Sequence, residues 1–225
     1  MTSIAIVGAG PQLGLAIART FGTQGYDVAL ISRNRAKLDD LVDTLTTEGI
    51  TAAAFPADVL DPDALTQALK DAAAQFGGID VLEYSPSAGL DTIEATTPAG
   101  IELAHVQHEI EFHLYGAIAA AKAVLPAMRE AGTGTLLFTT SAGSMTPQPP
   151  TAPISTAMAA LRNWAINLHK ELADTGIQAA HIGIDATIGT PTFYGQPRAT
   201  ADQLSPLYWD LHLTNRDQSE RIFRG

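Results

Sequence analysis

The feature that most constrains the fold is a regular alternation of short apolar runs with longer amphipathic segments. Runs such as SIAIV, DVALIS and GTLLFTT are almost continuously apolar, which is typical of parallel strands that are covered on both faces. Strands that alternate with helices in this way build a doubly wound parallel sheet. The sequence therefore predicts an α/β fold with three layers, α/β/α, in a single domain that spans residues 1–225.

The pattern predicts six strands, of which the last covers about residues 177–185. Between the fourth and fifth strands it predicts one long helix, over residues 100–132. Asp61 and Pro62 suit the start of the third helix, as its N-cap and its first helical residue. Residues 190–225 begin with a stretch rich in Pro and Thr and become helical at ADQLSPLYWDLHL. We expect this part of the chain to form a short lid over a substrate.

Charge and composition exclude several classes of protein. The formal net charge of −11 argues against binding to a nucleic-acid backbone or to an anionic membrane. The chain has no cysteine, so disulfides, thiolate chemistry and cysteine-ligated metals are excluded. The amino-terminal residues enter a strand at once, without the pattern of a secretory leader, and no apolar run reaches membrane-spanning length. A cytoplasmic protein is therefore expected.

A glycine-rich turn follows the first predicted strand and precedes the first predicted helix. Its sequence is GAGPQLG, with glycines at Gly8, Gly10 and Gly14. Such a turn lets the backbone approach a pyrophosphate, whose negative charge is stabilised by the helix N-terminus. Its place in the first βαβ unit makes a dinucleotide site a much stronger interpretation than a turn needed for packing alone. The predicted fold is therefore Rossmann-like.

The end of the second predicted strand indicates which dinucleotide is preferred. An acidic residue there would pair with the ribose 2′-hydroxyl of NAD, whereas this chain has Ser32 followed by Arg33. An arginine is suited to the 2′-phosphate of NADP. NADP(H) is therefore predicted as the cofactor, with NAD(H) as the less favoured alternative. Asp58 and Val59 end the third strand, where an aspartate can meet the adenine amino group.

Taken together, these segments resemble the short-chain dehydrogenase/reductase family from Ile4 to about Pro191. The turn GAGPQLG corresponds to the family's TGxxxGxG motif, with Gln12 in place of the middle glycine and Leu13 beside it, and both residues are predicted to contact the cofactor. GAIAAAKAVLPAM, GTLLFTTSAGS and AALRNWAINLHKEL match later segments of the family. The resemblance implies binding of NAD or NADP, reduction of carbonyls or oxidation of alcohols, and assembly as a homodimer or homotetramer through the fourth and fifth predicted helices.

The resemblance also shows where this chain departs from the family. The family's catalytic serine corresponds to Ser141. Its catalytic tyrosine and lysine, in the motif YxxxK, correspond to Ile154 and Met158. In the family the tyrosine is the general acid or base, and the lysine lowers its pKa and binds the nicotinamide ribose. Neither isoleucine nor methionine can donate a proton or bind a ribose hydroxyl in that way, so the usual proton relay cannot operate here.

At other positions of the family's motifs, this chain has either a different residue or the family's usual one. The family's NNAG segment after strand four becomes Tyr84-Ser85-Pro86-Ser87, and its helix-four asparagine becomes His113. Ser85 and Thr190 are predicted to contact the cofactor, Thr190 at the family's threonine that meets the carboxamide. Three residues are candidates for a catalytic role: Ser141, Tyr84 at the strand end that is expected to face the crevice, and His113, which can titrate near neutral pH.

No metal site is predicted. His105, His108 and Glu109 lie on neighbouring turns of the same predicted helix, where residues three and four apart can share a face. Their order matches neither HExxH nor HxxEH. A metal is therefore a weak interpretation of this cluster.

Three functions remain open on the sequence alone. The first is an NADP(H)-dependent oxidoreductase that acts on a small, apolar molecule with a non-standard proton donor. The second is a protein that binds NADP(H) or a metabolite without chemistry, in a regulatory role. The third is a non-redox enzyme, such as a cyclase or a dehydratase, that uses the same crevice.

Overall fold

A computed structural model of the chain describes residues 2–87, 96–189 and 197–225. Its core is a parallel sheet of seven strands in the order β3-β2-β1-β4-β5-β6-β9, and a two-stranded pair, β7 with β8, lies beside it. The strands are β1 Ser3–Val7, β2 Asp27–Ser32, β3 Ala52–Pro56, β4 Val81–Tyr84, β5 Gly134–Ser141, β6 Ile177–Ile184, β7 Thr187–Ile188, β8 Arg198–Ala199 and β9 Glu220–Phe223.

Helices cover both faces of the sheet, as predicted for a doubly wound α/β/α fold. The helices are α1 Leu13–Gly22, α2 Arg35–Thr47, α3 Pro62–Phe76, α4 Leu103–Ile110, α5 Gly116–Ala131, α6 Ala152–Glu171 and α7 Ala201–Leu213. One buried cluster joins the sheet to α3, α5 and α6, and the other joins it to α1, α2 and α7. The predicted fold class is confirmed.

Helix α3 begins at the residues that the sequence predicted for its start. Asp61 caps α3 by accepting a hydrogen bond from the Ala64 amide at 3.0 Å, and Pro62 is the first residue of that helix. α3 ends at Gly77, whose left-handed φ of 79° suits glycine. These ends fix α3 between β3 and β4, so that β4 can return beside β1.

The order of the strands defines where a ligand can bind. β1 pairs with β2 on one side and with β4 on the other, and both pairings are parallel. The direction of winding therefore reverses between β1 and β4. In open α/β sheets, a crevice at the carboxyl ends of the strands forms at such a point and holds the ligand.

The described structure differs from the prediction in its strands and in one helix, and the short pair of β7 with β8 is one of the differences. A seventh strand, β9, pairs with β6 in parallel; its sequence ERIF is short and half charged, so it carries no clear strand pattern. The predicted long helix is divided into α4 and α5 by a π-helical turn over Glu111–Tyr115. The segment after residue 200 is helical as expected, and α7 packs against α1, where Thr20 and Ser205 share a hydrogen bond of 2.8 Å.

No helix within the described ranges combines the length and the apolar character that a bilayer crossing requires.

Candidate active site

The glycine-rich turn is held between the ends of two neighbouring strands. The amides of Gly8 and Ala9 both donate to the carbonyl of Ile31, at 2.9 and 3.0 Å. Gly8 has a φ of 96°, and a Cβ atom there would lie 2.5 Å from the backbone nitrogen and Cα of Pro86. Only glycine can combine this backbone conformation with so close an approach. The turn is therefore tightly locked against the end of β4.

Beyond Gly8 the turn opens toward solvent. A Cβ atom at Gly10 would have only one heavy atom within 4 Å, the Gly8 carbonyl oxygen at 3.9 Å. Within the described ranges, the amides of Gln12, Leu13 and Gly14 donate to no backbone or side-chain acceptor. Free amides at a helix N-terminus form a binding site for anions. The cradle formed by these three amides therefore fits a pyrophosphate. Gly14 itself is buried, and a Cβ atom there would lie 3.0 Å from Ala9 Cα.

The residues predicted to read the adenosine half lie along the same edge of the sheet. Ser32 ends β2 and is half-buried, and Arg33 follows it in an exposed position. Arg33 makes no ion pair or hydrogen bond with another described residue, so its guanidinium is available to a ligand. The Asp58 carboxylate accepts from the Leu60 amide at 3.1 Å, while Val59 is buried. Arg33 thus places a positive charge at this end of the crevice, and Ser32 and Asp58 add polar groups.

The opposite side of the crevice is formed by the end of β5 and the first turns of α6. Ser141 is exposed, and its hydroxyl donates to the Met158 sulfur at 3.1 Å. The Ser141 amide donates to the same sulfur at 3.4 Å. Ile154 lies one helical turn before Met158 and is half-buried. A thioether and an alkyl group therefore lie where the resemblance places an ammonium group and a phenol.

The expectation that Tyr84 faces the crevice is wrong. Its side chain is completely buried, and its hydroxyl donates to the Phe112 carbonyl at 2.6 Å. A Cβ atom at Gly116 would collide with that hydroxyl. Burial also raises the pKa of Tyr84 well above its usual range. The hydroxyl therefore satisfies a carbonyl of the π-helical turn and is not placed to protonate a ligand at the carboxyl edge of the sheet.

The His113 side chain is also covered by its neighbours. It is buried, its Nε2 lies 3.3 Å from a carboxylate oxygen of Glu109, and its ring contacts the edge of Phe112 with centroids 4.9 Å apart. The neighbouring His108 stacks on Phe112 instead. Within the described ranges, no group of three or more His, Cys, Asp or Glu side chains is arranged to hold a metal ion.

Beneath the glycine turn lies a buried acid, Glu83, which is not among the residues predicted for the site. Glu83 is completely buried; its carboxyl accepts from the hydroxyls of Ser85 and Thr139, each at 2.9 Å. The Thr139 hydroxyl also shares a hydrogen bond of 2.8 Å with Tyr208. Burial raises the pKa of Glu83 to about 8, despite the two hydroxyl donors. The signal in the sequence was a glutamate within the apolar strand VLEY.

A second buried network, also missed, lies beneath the Ser141 side of the crevice. His181 on β6 is completely buried, with Nε2 2.7 Å from the Thr140 hydroxyl and Nδ1 3.0 Å from the Glu220 carboxylate. The Thr140 hydroxyl lies 2.7 Å from that of Ser144, which donates to the Ser141 carbonyl at 3.0 Å. Burial lowers the pKa of His181 to about 4. This network holds the turn that carries Ser141.

The two halves of the predicted site thus lie along one edge of the sheet. Ser85 follows β4 beside the glycine turn, since its amide donates to the Val7 carbonyl at 2.9 Å. Ser141 lies at the end of β5, the next strand. Thr190, predicted to meet the carboxamide, lies outside the described residues. Of the three catalytic candidates, Ser141 alone is exposed at this edge.

Fold and site together define a dinucleotide-binding protein of the doubly wound class, and comparison with known proteins identifies its family. The sequence model for short chain dehydrogenases matches residues 2–193. The chain belongs to the short chain dehydrogenase family. An uncharacterized oxidoreductase of Staphylococcus aureus (strain MRSA252) is 29% identical over 190 residues, which cover 84% of this chain and 80% of that protein.

Solved structures share the fold over the whole chain. L-Sorbose reductase from Gluconobacter frateurii, complexed with NADPH and L-sorbose, has a TM-score of 0.88 at 20% identity, and the match covers 100% of this chain and 95% of that one. A metagenomic short-chain oxidoreductase in complex with NADP has a TM-score of 0.85 at 21% identity, with 99% and 96% covered. At these identities the likeness concerns the fold.

Proposed function

We propose that this chain is an NADP(H)-dependent oxidoreductase that acts on a small, apolar molecule without the family's tyrosine and lysine. The observation that carries the proposal is the open cradle at the start of α1, where the amides of Gln12, Leu13 and Gly14 have no acceptor among the described residues. Membership of the short chain dehydrogenase family supports a nicotinamide dinucleotide as the ligand of this cradle.

The preference for NADP(H) over NAD(H) rests on the end of β2. Arg33 is exposed and unpaired among the described residues, and Ser32 replaces the acid that would hold a ribose 2′-hydroxyl. A guanidinium can bind a phosphate through two parallel hydrogen bonds. The two neighbouring structures described above contain NADPH and NADP, which agrees with this preference.

The chemistry requires a proton from a group other than the family's tyrosine. The cofactor would supply the hydride, and the protein has to orient it and exclude competing reactions. Ser141 can orient a polar atom of the substrate, because its hydroxyl lies exposed at the carboxyl edge of the sheet. Since Ile154 and Met158 offer no acid, the substrate class is a C=C bond, an imine or an activated carbonyl, whose reduction needs less help from an acid.

The experiment that tests the proposal is calorimetric titration with NADPH and, separately, NADH. We expect micromolar binding of NADPH and much weaker binding of NADH, with the difference removed in Arg33→Ala. Arg35→Ala is the matched control, because that exposed arginine is paired with Asp39. Turnover is then sought with a panel of enones, imines and ketones. Absence of binding by either nucleotide would contradict the proposal.

One observation favours the alternative of a binding protein without chemistry. The Ser141 hydroxyl donates a hydrogen bond to the Met158 sulfur, so the one exposed catalytic candidate among the described residues already has an acceptor within the protein. Tight NADPH binding with no turnover on any compound of the panel would favour this alternative. If Ser141→Ala lowers turnover while Tyr84→Phe does not, the oxidoreductase interpretation is supported and the exposed serine is assigned to the site.

Assembly as a homodimer or homotetramer is part of the same proposal. Leu103 on α4 is 88% exposed and Tyr115 in the π-helical turn is 53% exposed. These apolar side chains lie on the segment through which the resemblance implies assembly. Light scattering after size-exclusion chromatography would measure the mass in solution, and a monomeric mass would contradict this part of the proposal.

A further inference from the structure

Gln12 is the one residue of the glycine-rich turn with a long side chain that reaches across the carboxyl edge of the sheet. It lies immediately before α1 in an exposed position, and its side chain makes no capping hydrogen bond to that helix. The amide group of its side chain is therefore not used to stabilise α1. It extends instead to the segment that follows β7.

The contact on the far side is with Gly189. A Cβ atom at Gly189 would lie 3.2 Å from Gln12 Nε2 and 3.3 Å from Oε1. Gly189 has a left-handed φ of 80°, so a side chain at this position is disfavoured for two reasons. The absence of a Cβ atom there leaves the space that the Gln12 amide fills.

This contact spans a considerable part of the sheet. β4 and β5 lie between β1 and β6, and Gly189 belongs to the segment that continues from β6. The Gln12 side chain thus links the turn after β1 to the segment after β7, beside the free amides at the start of α1. A ligand held by those amides would lie next to the Gln12 carboxamide.

We propose that the Gln12 side chain is a strap over the bound dinucleotide: it moves aside to admit the ligand, returns to Gly189, and donates from Nε2 to the pyrophosphate. The proposal rests on the proposed function, because it needs NADP(H) at the α1 cradle. It assigns a binding role to the residue that replaces a glycine of the family motif. A glycine there has no side chain to close, so the strap is a property of this chain.

The chemistry of the carboxamide suits the role. Its NH₂ group has two donors, and a hydrogen bond from a neutral donor to an anionic oxygen is stronger than one between neutral groups. The carboxamide is uncharged, so it adds no repulsion toward the pyrophosphate. The strap therefore slows dissociation of the ligand without changing the anion preference of the cradle.

The test compares Gln12→Met with the wild-type protein. Methionine keeps the length of the side chain and removes both donors. We expect NADPH to dissociate about tenfold faster from Gln12→Met and from Gln12→Gly, because a hydrogen bond to a charged group is lost. Dissociation is measured by stopped-flow displacement of NADPH fluorescence, and affinity by calorimetry. Gln24→Met, at the other end of α1, is the matched control and is expected to release NADPH at the wild-type rate.

A second ligand separates the pyrophosphate from the rest of the molecule. Adenosine 2′-monophosphate contains the adenosine 2′-phosphate and no pyrophosphate, so its affinity is expected to be the same for wild-type protein and Gln12→Met. Equal loss of affinity for both ligands would overturn the assignment to the pyrophosphate. Unchanged or slower release of NADPH by the variants would overturn the strap and show that Gln12 obstructs the crevice or is idle.

Failure of the proposed function gives a different result. In that case the wild-type protein, both Gln12 variants and the control bind no NADPH at any concentration tested, and the strap fails together with the cofactor. If Gln12→Gly binds NADPH and the wild-type protein does not, the Gln12 side chain blocks the cradle, which overturns both the strap and the proposed function of the wild-type chain.

Discussion

The two sides of the crevice differ in how many of the residues expected from the resemblance to the family they carry. On the side of β1 and α1, Gly8 and Gly14 retain their places and three backbone amides remain free among the described residues. On the side of β5 and α6, the resemblance to the family puts Ile154 and Met158 where the family has its tyrosine and lysine. In the proposed function, the first side binds the cofactor through its backbone, whereas the second side contributes through its side chains. Ligand binding and catalysis can therefore diverge separately within one sheet.

The largest effect on turnover is expected from introducing the family's tyrosine and lysine on the side of β5 and α6. Ile154→Tyr with Met158→Lys returns a general acid and its cationic partner beside Ser141. We expect NADPH-dependent reduction of simple ketones to rise at least about 100-fold over the wild-type protein, since general acid–base catalysis contributes about 10²- to 10⁴-fold. The rate is measured from the loss of NADPH absorbance. Ile154→Phe with Met158→Lys, which lacks the hydroxyl, is the control.

If the double variant binds NADPH and still reduces no ketone, the residues at positions 154 and 158 do not by themselves explain the lack of turnover. The defect would then extend beyond α6, for example to the position of Ser141 itself.

A pair of glycine substitutions tests the first side. Gly8→Ala is expected to lower the free energy of unfolding by about 2–4 kcal/mol, because it combines a positive φ with a collision against Pro86. Gly10→Ala has open space and is expected to fold normally while binding NADPH about tenfold more weakly, because the added methyl group faces the ligand. Urea unfolding and calorimetry measure the two quantities. Equal stability of the two variants would contradict the locked turn.

The buried networks beneath the two sides are expected to respond to pH in opposite directions. Glu83 has its pKa raised by burial to about 8, so between about pH 4.5 and 8 the folded protein binds a proton that the unfolded chain has lost. The free energy of unfolding therefore falls as pH rises through this range. Glu83→Gln removes this dependence, and we expect its stability relative to wild type to increase by a few kcal/mol from pH 5 to pH 8.

His181 has its pKa lowered by burial to about 4. Between about pH 4 and 6.5 the unfolded chain binds a proton that the folded protein excludes, so this group makes the protein more stable as pH rises. Urea unfolding of both proteins across the pH range separates the two effects, because Glu83→Gln leaves His181 unchanged. A difference between the two proteins that does not vary with pH would show that Glu83 is ionised in the fold.

The smallest effect concerns Tyr84. Removing its hydroxyl in Tyr84→Phe leaves the Phe112 carbonyl without that donor, and we expect a loss of about 1–2 kcal/mol in the free energy of unfolding with turnover unchanged. Gly116→Ala is expected to be less damaging in the Tyr84→Phe background, because a Cβ atom there meets the hydroxyl. A double-mutant cycle in urea measures the coupling. Loss of turnover in a stable Tyr84→Phe protein would return Tyr84 to the catalytic site.

The layers and the glycine turn could be predicted because they depend on local pattern: apolar runs, helix periodicity and glycine spacing. The orientation of Tyr84 could not, because neighbouring residues of a strand point to opposite faces, and VLEY offers an acid and a phenol for either face. The π-helical turn leaves the apolar periodicity nearly intact. β9 was missed because Glu220 and Arg221 are charged, and Glu220 acquires its partners only through tertiary contacts with His181 and Arg162.

The late position of β9 in the chain has a consequence for the order of folding. Glu220 is hydrogen-bonded to His181 and Arg162, which lie 39 and 58 positions earlier in the chain. Closing such long loops is slow compared with forming local helices. The glycine turn closes a still longer loop, because Gly8 lies against Pro86, 78 positions later in the chain. We therefore expect the ligand cradle to become rigid no earlier than the turn that carries Ser141. A dinucleotide present during folding would then bind only the nearly complete fold and stabilise that state.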